Sequence, residues 1–127
     1  MIPSGVEIFM AMGAIDLRWG FNRLTGVVNE HIGRDVRCGA LFLFIGKRRD
    51  ALKILFFDGS GLCLFYKRLD DGLFRLPSRS EINGATAITL DEEELNALLD
   101  GIGLEKPVRR VKHNEVVRLK KPLLKFN

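Results

Sequence analysis

At 127 residues, 46% apolar and 28% charged, the chain has the size of one globular domain and needs neither disulfides nor a structural metal to close a core. No stretch approaches the roughly 18 apolar residues of a membrane-spanning helix, and the opening MIPSGVEIFMAMG, with no basic leader and with Glu7 in its apolar run, does not resemble a secretion signal. The net charge of +4 conceals three blocks: residues 1–79 carry 12 Lys/Arg against 8 Asp/Glu, residues 80–104 carry 6 acids and no Lys/Arg, and residues 105–127 carry 8 Lys/Arg against 2 Glu.

A cytoplasmic protein is the expectation, and the asymmetry points to an anionic partner for the tail or to contact between the acidic block and a basic one. Cys38 and Cys63 have no CxxC spacing and no histidine pattern beside them. Cys63, inside GLCLFY, reads as a thiol packed in a strand, and both cysteines are expected to be reduced.

In chain order, VEIFMAMG (6–13) reads as a first strand. Asp16 then stands as the N-cap of a long helix. Leu17, Phe21, Leu24, Val28 and Ile32 recur at steps of three and four, and Gly33 terminates it. On that wheel Trp19 falls about 180° from the apolar stripe, with Arg18, Asn22 and Arg23 near it, which makes these four residues a candidate partner surface. Cover by another part of the same chain is an equally good reading, because Trp is usually largely buried.

ALFLFIG, ALKILFF, GLCLFYKRL and GLFRLP follow, separated by KRRD, DGSG and DDG. Their turn chemistry and spacing predict an antiparallel four-stranded meander, and the apolar residues at both alternating sets of positions require cover on both faces. Thr89 with Glu92 matches a capping box, the acids 91–94 suit a first helical turn, and Leu95, Leu98, Leu99 and Ile102 form the buried face of a short C-terminal helix. The expected fold is therefore α+β, with residues 1–104 as one domain. Residues 105–127 form a basic tail, extended or disordered in isolation.

Because the DGSG turn reverses the chain, Lys67 and Arg68 return to the sheet edge that holds Lys47, Arg48 and Arg49. Five cations on one rim, with Arg109, Arg110, Lys112, Arg118, Lys120 and Lys121 of the tail, are the candidate DNA-binding set. Solvated turns that guard a sheet edge against aggregation explain the rim equally well; the basic tail favours nucleic acid. The element order does not match an RNA-recognition motif, and no helix-turn-helix or zinc-finger spacing is present.

Nothing in the spacing forms a catalytic or metal site. His31 and His113 have no nucleophile motif beside them, and the GSG between strands lacks the Lys-Ser/Thr and following helix of a phosphate loop. Asp16 and Asp58 are explained as a helix cap and a turn residue. No catalytic residue, metal or cofactor is expected.

DLRWGFNRLTGVV, LFLFIGKRRDALKILFFDGSGLCLFYKRLDDGLFRLP and ITLDEEELNALLDGI occur in that order. Over about residues 6–104 the chain resembles the small accessory protein from the second reading frame of insertion-sequence family sixty-six. That TnpB-type protein is unrelated to the RNA-guided nuclease of the same name. The family-like positions are Asp16, Arg18 and Gly20; Lys47, Arg48, Arg49 and Asp50; Lys53; Asp58, Gly59 and Gly61; and Lys67 with Arg68. Position 19, commonly basic in that family, is Trp19 here.

The resemblance implies a bacterial mobile-element protein that assists transposition beside a separate, larger transposase, which performs the strand chemistry. The resulting expectation is a non-catalytic accessory factor that engages DNA at the element ends or steadies the transposase on them. The competing expectation is an interaction module that contacts the transposase or self-associates, with no DNA affinity of its own.

Overall fold

The computed structural model of the protein describes residues 5–13, 15–74, 85–100 and 116–118. Its first strand, β1 (Ile8–Ala11), is buried at all four positions. Side chains of a strand alternate between faces, so an unbroken buried run means cover on both sides. β1 lies inside a six-stranded mixed sheet whose other members are β2 (Leu41–Ile45), β3 (Ala51–Phe57), β4 (Leu62–Arg68), β5 (Ala87–Leu90) and β6 (Val116–Arg118). The spatial order is β4-β3-β2-β1-β5-β6. β1 pairs parallel with β2 and antiparallel with β5.

A parallel neighbour needs a crossover, and α1 (Phe21–Val27) with a π-helical turn (Val28–Ile32) supplies it. Leu24, Val28 and Ile32 pack on one face of the sheet against Phe9, Phe42, Phe44 and Leu55, with Phe9 stacked on Phe42 at 5.6 Å. On the other face, Leu95, Leu98 and Leu99 of α2 (Glu92–Asp100) cover Ile8, Met10, Leu43, Ile45, Leu52, Ile54 and Ile88. Each layer is a helix laid on a sheet face, the arrangement that lets a sheet with two apolar faces exclude water.

The structure corrects several expectations. The helix begins at Phe21 rather than after Asp16, with the carbonyl of Gly20 at the N-cap accepting the N–H of Leu24 at 3.0 Å. Asp16 instead closes a tight turn: its carboxylate takes the N–H of Arg18 at 2.9 Å, and its carbonyl takes the N–H of Trp19 at 3.0 Å. Periodicity does not mark a helix start, and here the extended backbone of Gly20 sets it. Phe21 is consequently 44% exposed, while Leu17 lies outside the helix. Gly33 does end the segment, at φ 74° in the left-handed region that a glycine tolerates.

Three strands of the expected meander are present, joined by KRRD and DGSG as β2-β3-β4. The fourth is not a strand over Gly72–Phe74. Phe74 is fully buried and donates its N–H to the Arg49 carbonyl at 2.6 Å, so it plugs the core from a loop. Residues 75–77 of that run lie outside the described residues. On the other side of β1 the sheet continues with β5, a segment whose sequence suggests only the approach to a helix.

β5 also moves the capping box. Thr89 is a strand residue opposite Phe9. The reciprocal cap is Asp91 with Glu94: the Glu94 N–H reaches Asp91 Oδ1 at 2.7 Å, and the Asp91 N–H reaches Glu94 Oε1 at 2.8 Å. TLDEEE holds both spacings, and strand pairing with β1 claims Thr89.

Candidate nucleic-acid interface

The β3–β4 register sets Arg68 opposite Ala51 and Lys67 opposite Leu52, one step from the KRRD turn. The turn is drawn tight by Arg49 N–H to the Gly46 carbonyl at 3.0 Å and Gly46 N–H to the Ala51 carbonyl at 3.2 Å. Asp50 holds the far side, its carbonyl accepting the N–H of Leu69 at 2.7 Å. The two cation clusters therefore do meet at one end of the sheet.

Strand alternation then divides them. Lys67 points to the α2 side, where its ammonium donates to the Leu99 carbonyl in the last turn of α2. There a cation suits both the unsatisfied carbonyls and the negative end of the helix dipole. Arg68 points to the α1 side and donates to the Tyr66 hydroxyl at 3.3 Å, a bond that pushes the guanidinium above its ordinary value. Arg49 stays exposed beside the patch, in the left-handed region at φ 63°. The rim is thus not a cluster of five equivalent cations.

What takes the place of Lys67 comes from the loop after β1. A parallel bridge between Ile15 and Gly46 draws residues 16–19 against the turn, and Leu17 packs so closely on Gly46 that a Cβ there would stand 2.9 Å from Leu17 Cδ1. The loop and turn enclose a cleft of about 460 Å³ whose charged wall is Asp16, Arg18, Lys47, Arg48, Asp50 and Arg68, with Tyr66 among its lining. Arg18 grips Asp16 through Nη2 at 2.8 Å and Nε at 3.1 Å, and its side chain remains 90% exposed. That side-chain bond, then the Arg18 backbone N–H, lowers the Asp16 carboxyl to about 2. Lys53 sits behind, donating to the Trp19 carbonyl at 3.0 Å with its Nζ 5.4 Å from the Tyr66 ring centre.

Charge alone does not reveal Arg18, Lys53 and Tyr66 as neighbours of the rim. The period of two along β4 already puts Tyr66 with Arg68 and away from Lys67. The approach of the Asp16–Trp19 loop depends on the β1–β2 pairing, which has no local signal.

The candidate partner surface is also divided. Arg18 belongs to the cleft, whereas Trp19, Asn22 and Arg23 line a second groove of about 510 Å³ with Gly26, Glu30 and His31. Trp19 is half-buried against the α1-side core, so the chain itself covers part of the ring, and the Arg23 guanidinium lies 4.5 Å from the ring centre. Since residue 19 precedes the helix, its angle on the helical wheel has no meaning.

Of the basic tail, Arg118 stands in β6, registered with Thr89. Arg109, Arg110, Lys112, Lys120 and Lys121 lie outside the described residues, as does His113. β6 is at the opposite sheet edge from β4, five strand spacings or roughly 24 Å away.

Asp58 holds the β3–β4 turn by accepting the N–H groups of Ser60 and Gly61, each at 2.9 Å, which keeps its carboxyl below the usual range. Burial, aided by Asp58, raises the neighbouring Cys63 thiol. Among the described residues no group of three or more His, Cys, Asp or Glu could hold a metal ion, and no helix is long and apolar enough to cross a membrane.

The family model described as IS66 Orf2 like protein matches residues 6–109. The chain belongs to the IS66 Orf2-like family. The cleft, the rim and both helices all fall inside the matched span. Relatives of this IS66 Orf2-like chain include two from Sinorhizobium fredii (strain NBRC 101917 / NGR234). Uncharacterized protein y4hO is 39% identical over 109 residues, covering 84% of this chain and 91% of the relative. Uncharacterized protein y4jC is 34% identical over 113 residues, covering 85% and 93%. No solved structure matches. Membership associates the chain with insertion-sequence transposition in an accessory capacity.

Proposed function

We propose that the chain is a non-catalytic accessory factor of transposition that holds DNA by its phosphates, using Arg18, Lys47, Arg48 and Arg68. The observation that carries this reading is the convergence of those four cations, from three segments of the chain, on one concave site with two acids, Asp16 and Asp50, among its described lining. One of the acids, Asp16, is already matched by Arg18. Cations gathered on one rim release condensed counterions when they meet a polyanion, which favours nucleic acid without requiring base contacts. The basic residues of 105–127 add to the same attraction, and the separation of β6 from β4 means that a DNA touched by both ends would cross the sheet.

The test is the affinity of the full chain for duplex DNA across a salt series, with Arg48→Glu and Arg68→Glu as variants. Each substitution is expected to weaken binding on every sequence and to reduce the salt slope by about 1 for every phosphate no longer neutralised. Unchanged affinity and slope would remove the rim from the interface.

A second reading is supported by the Trp19 groove: a contact with the separate transposase, or with a second copy, made through Trp19, Asn22 and Arg23. Trp and Arg are the side chains that most often anchor protein interfaces. A Trp19 fluorescence shift on adding transposase but not DNA would favour it.

A further inference from the structure

We propose that the cleft beside Tyr66 takes an unpaired nucleotide of single-stranded DNA, its base lying on the Tyr66 ring and its phosphate among Arg18, Lys47 and Arg48; this rests on the reading of the rim as a DNA site.

Tyr66 is the chain's only tyrosine and stands 52% exposed in the lining of a basic cleft. Of the other aromatic side chains on the same sheet face, Phe9, Phe42 and Phe44 are fully buried under the α1 layer, and Phe57, half-buried at the far end of β3, has the Arg37 guanidinium 5.9 Å from its ring centre. Tyr66 lies on the edge strand β4, opposite Lys53 of β3. Its ring is nevertheless held: Arg68 bonds the hydroxyl at 3.3 Å, and the Lys53 ammonium lies 5.4 Å from the ring centre. Lys53 is fixed in turn by the Trp19 carbonyl. A pre-set aromatic face lowers the ordering needed when a flat ligand stacks on it.

The geometry selects the form of DNA. In a duplex both faces of each base are covered by their neighbours, so an aromatic platform contributes only where a base is unstacked. An aromatic face combined with cations that follow the backbone is the usual chemistry of single-strand sites. About 460 Å³ also lies within the range of about 300–1,000 Å³ typical of small-ligand pockets. Duplex phosphates are reached equally well from exposed turns, and an aromatic ring adds nothing to them.

The experiment compares a labelled single strand of about 12 nucleotides with the duplex of the same sequence, both by anisotropy at one salt concentration. Wild type, Tyr66→Ala, Tyr66→Phe and Arg48→Glu are measured as full chains. The expected result is tighter binding of the single strand, a loss of about tenfold on that strand in Tyr66→Ala, and no change on the duplex. Tyr66→Phe, which keeps the ring, stays within about twofold of wild type on both and shows that position 66 tolerates substitution. Equal effects of Tyr66→Ala on both DNAs, or none on either, while Arg48→Glu still weakens binding, would overturn the nucleotide site and leave the rim reading intact. Failure of wild type to bind either DNA would overturn both.

Discussion

Lys53, in the middle of β3, donates to the backbone carbonyl of Trp19 at 3.0 Å and so ties the sheet to a loop 34 residues earlier in the chain. The loop carries Arg18, and the bond is partly buried. Lys53→Met keeps the alkyl stem but removes the donor. A charged hydrogen bond in partial burial contributes about 1 kcal/mol, so chemical denaturation should show a loss of that order. DNA affinity should fall as well, although Lys53 is not on the exposed rim. Lost stability with unchanged affinity would show that the loop keeps its place without this bond.

At Gly46 the turn packs directly against Leu17 of the loop. An added Cβ would lie 2.9 Å from Leu17 Cδ1 and 3.0 Å from Leu17 Cγ. Gly46→Ala is expected to destabilise by about 1 kcal/mol through overpacking. In a Leu17→Ala background the same substitution should be nearly neutral, because the clashing atoms are gone. Additive losses in the double variant would place the strain elsewhere.

What is legible in the sequence follows from local pattern. Runs such as ALKILFF and GLCLFYKRL, bounded by KRRD and DGSG, define three adjacent strands and bring Lys47 and Arg68 to one end. Ile8–Ala11 carries no register, because a strand buried on both faces gives the same apolar run whichever neighbours it takes. Its place between β2 and β5 comes from pairing across long stretches of chain. Thr89 is ambiguous because a strand end and a helix cap overlap in TLDEEE. Lys67 groups with Arg68 only while charge is counted without the alternation that sends neighbours to opposite faces.

Arg49 occupies the left-handed region at φ 63°, where a side chain is disfavoured by roughly 1–2 kcal/mol relative to glycine. Part of that is offset by the greater unfolded-state freedom of glycine. Arg49→Gly should therefore stabilise the protein, by up to about 1 kcal/mol. Because Arg49 lies beside the cleft rather than in its lining, DNA binding should change less than in Arg48→Glu. A destabilised Arg49→Gly would show that the Arg side chain makes an interaction stronger than the backbone strain.

Lys67 and Arg68 are adjacent and should separate cleanly. Lys67→Met removes the ammonium from the Leu99 carbonyl and from the negative end of α2, a loss of about 1 kcal/mol. Its DNA affinity should stay close to wild type. Arg68→Gln should do the reverse, lowering affinity and the salt slope while leaving the melting temperature unchanged. Equal loss of affinity in both variants would return Lys67 to the DNA surface and contradict its orientation toward α2.

Asp16 gives a pH signature for the Arg18 arm of the cleft. Hydrogen bonds from the Arg18 side chain, then from its backbone N–H, lower the carboxyl from 3.8 to about 2. A depressed folded value means that the unfolded chain binds the proton more readily. The contribution is fully present above the unfolded value and is lost as pH falls from near 3.8 through about 2. Carboxyl-detected NMR titration should place Asp16 well below ordinary aspartates, and Arg18→Gln should move it back toward 3.8 without shifting Asp58, whose depression comes first from the Ser60 N–H. An Asp16 titration unaffected by Arg18→Gln would mean that the guanidinium is not held at the mouth of the cleft, and Arg18 would leave the set of phosphate-binding residues.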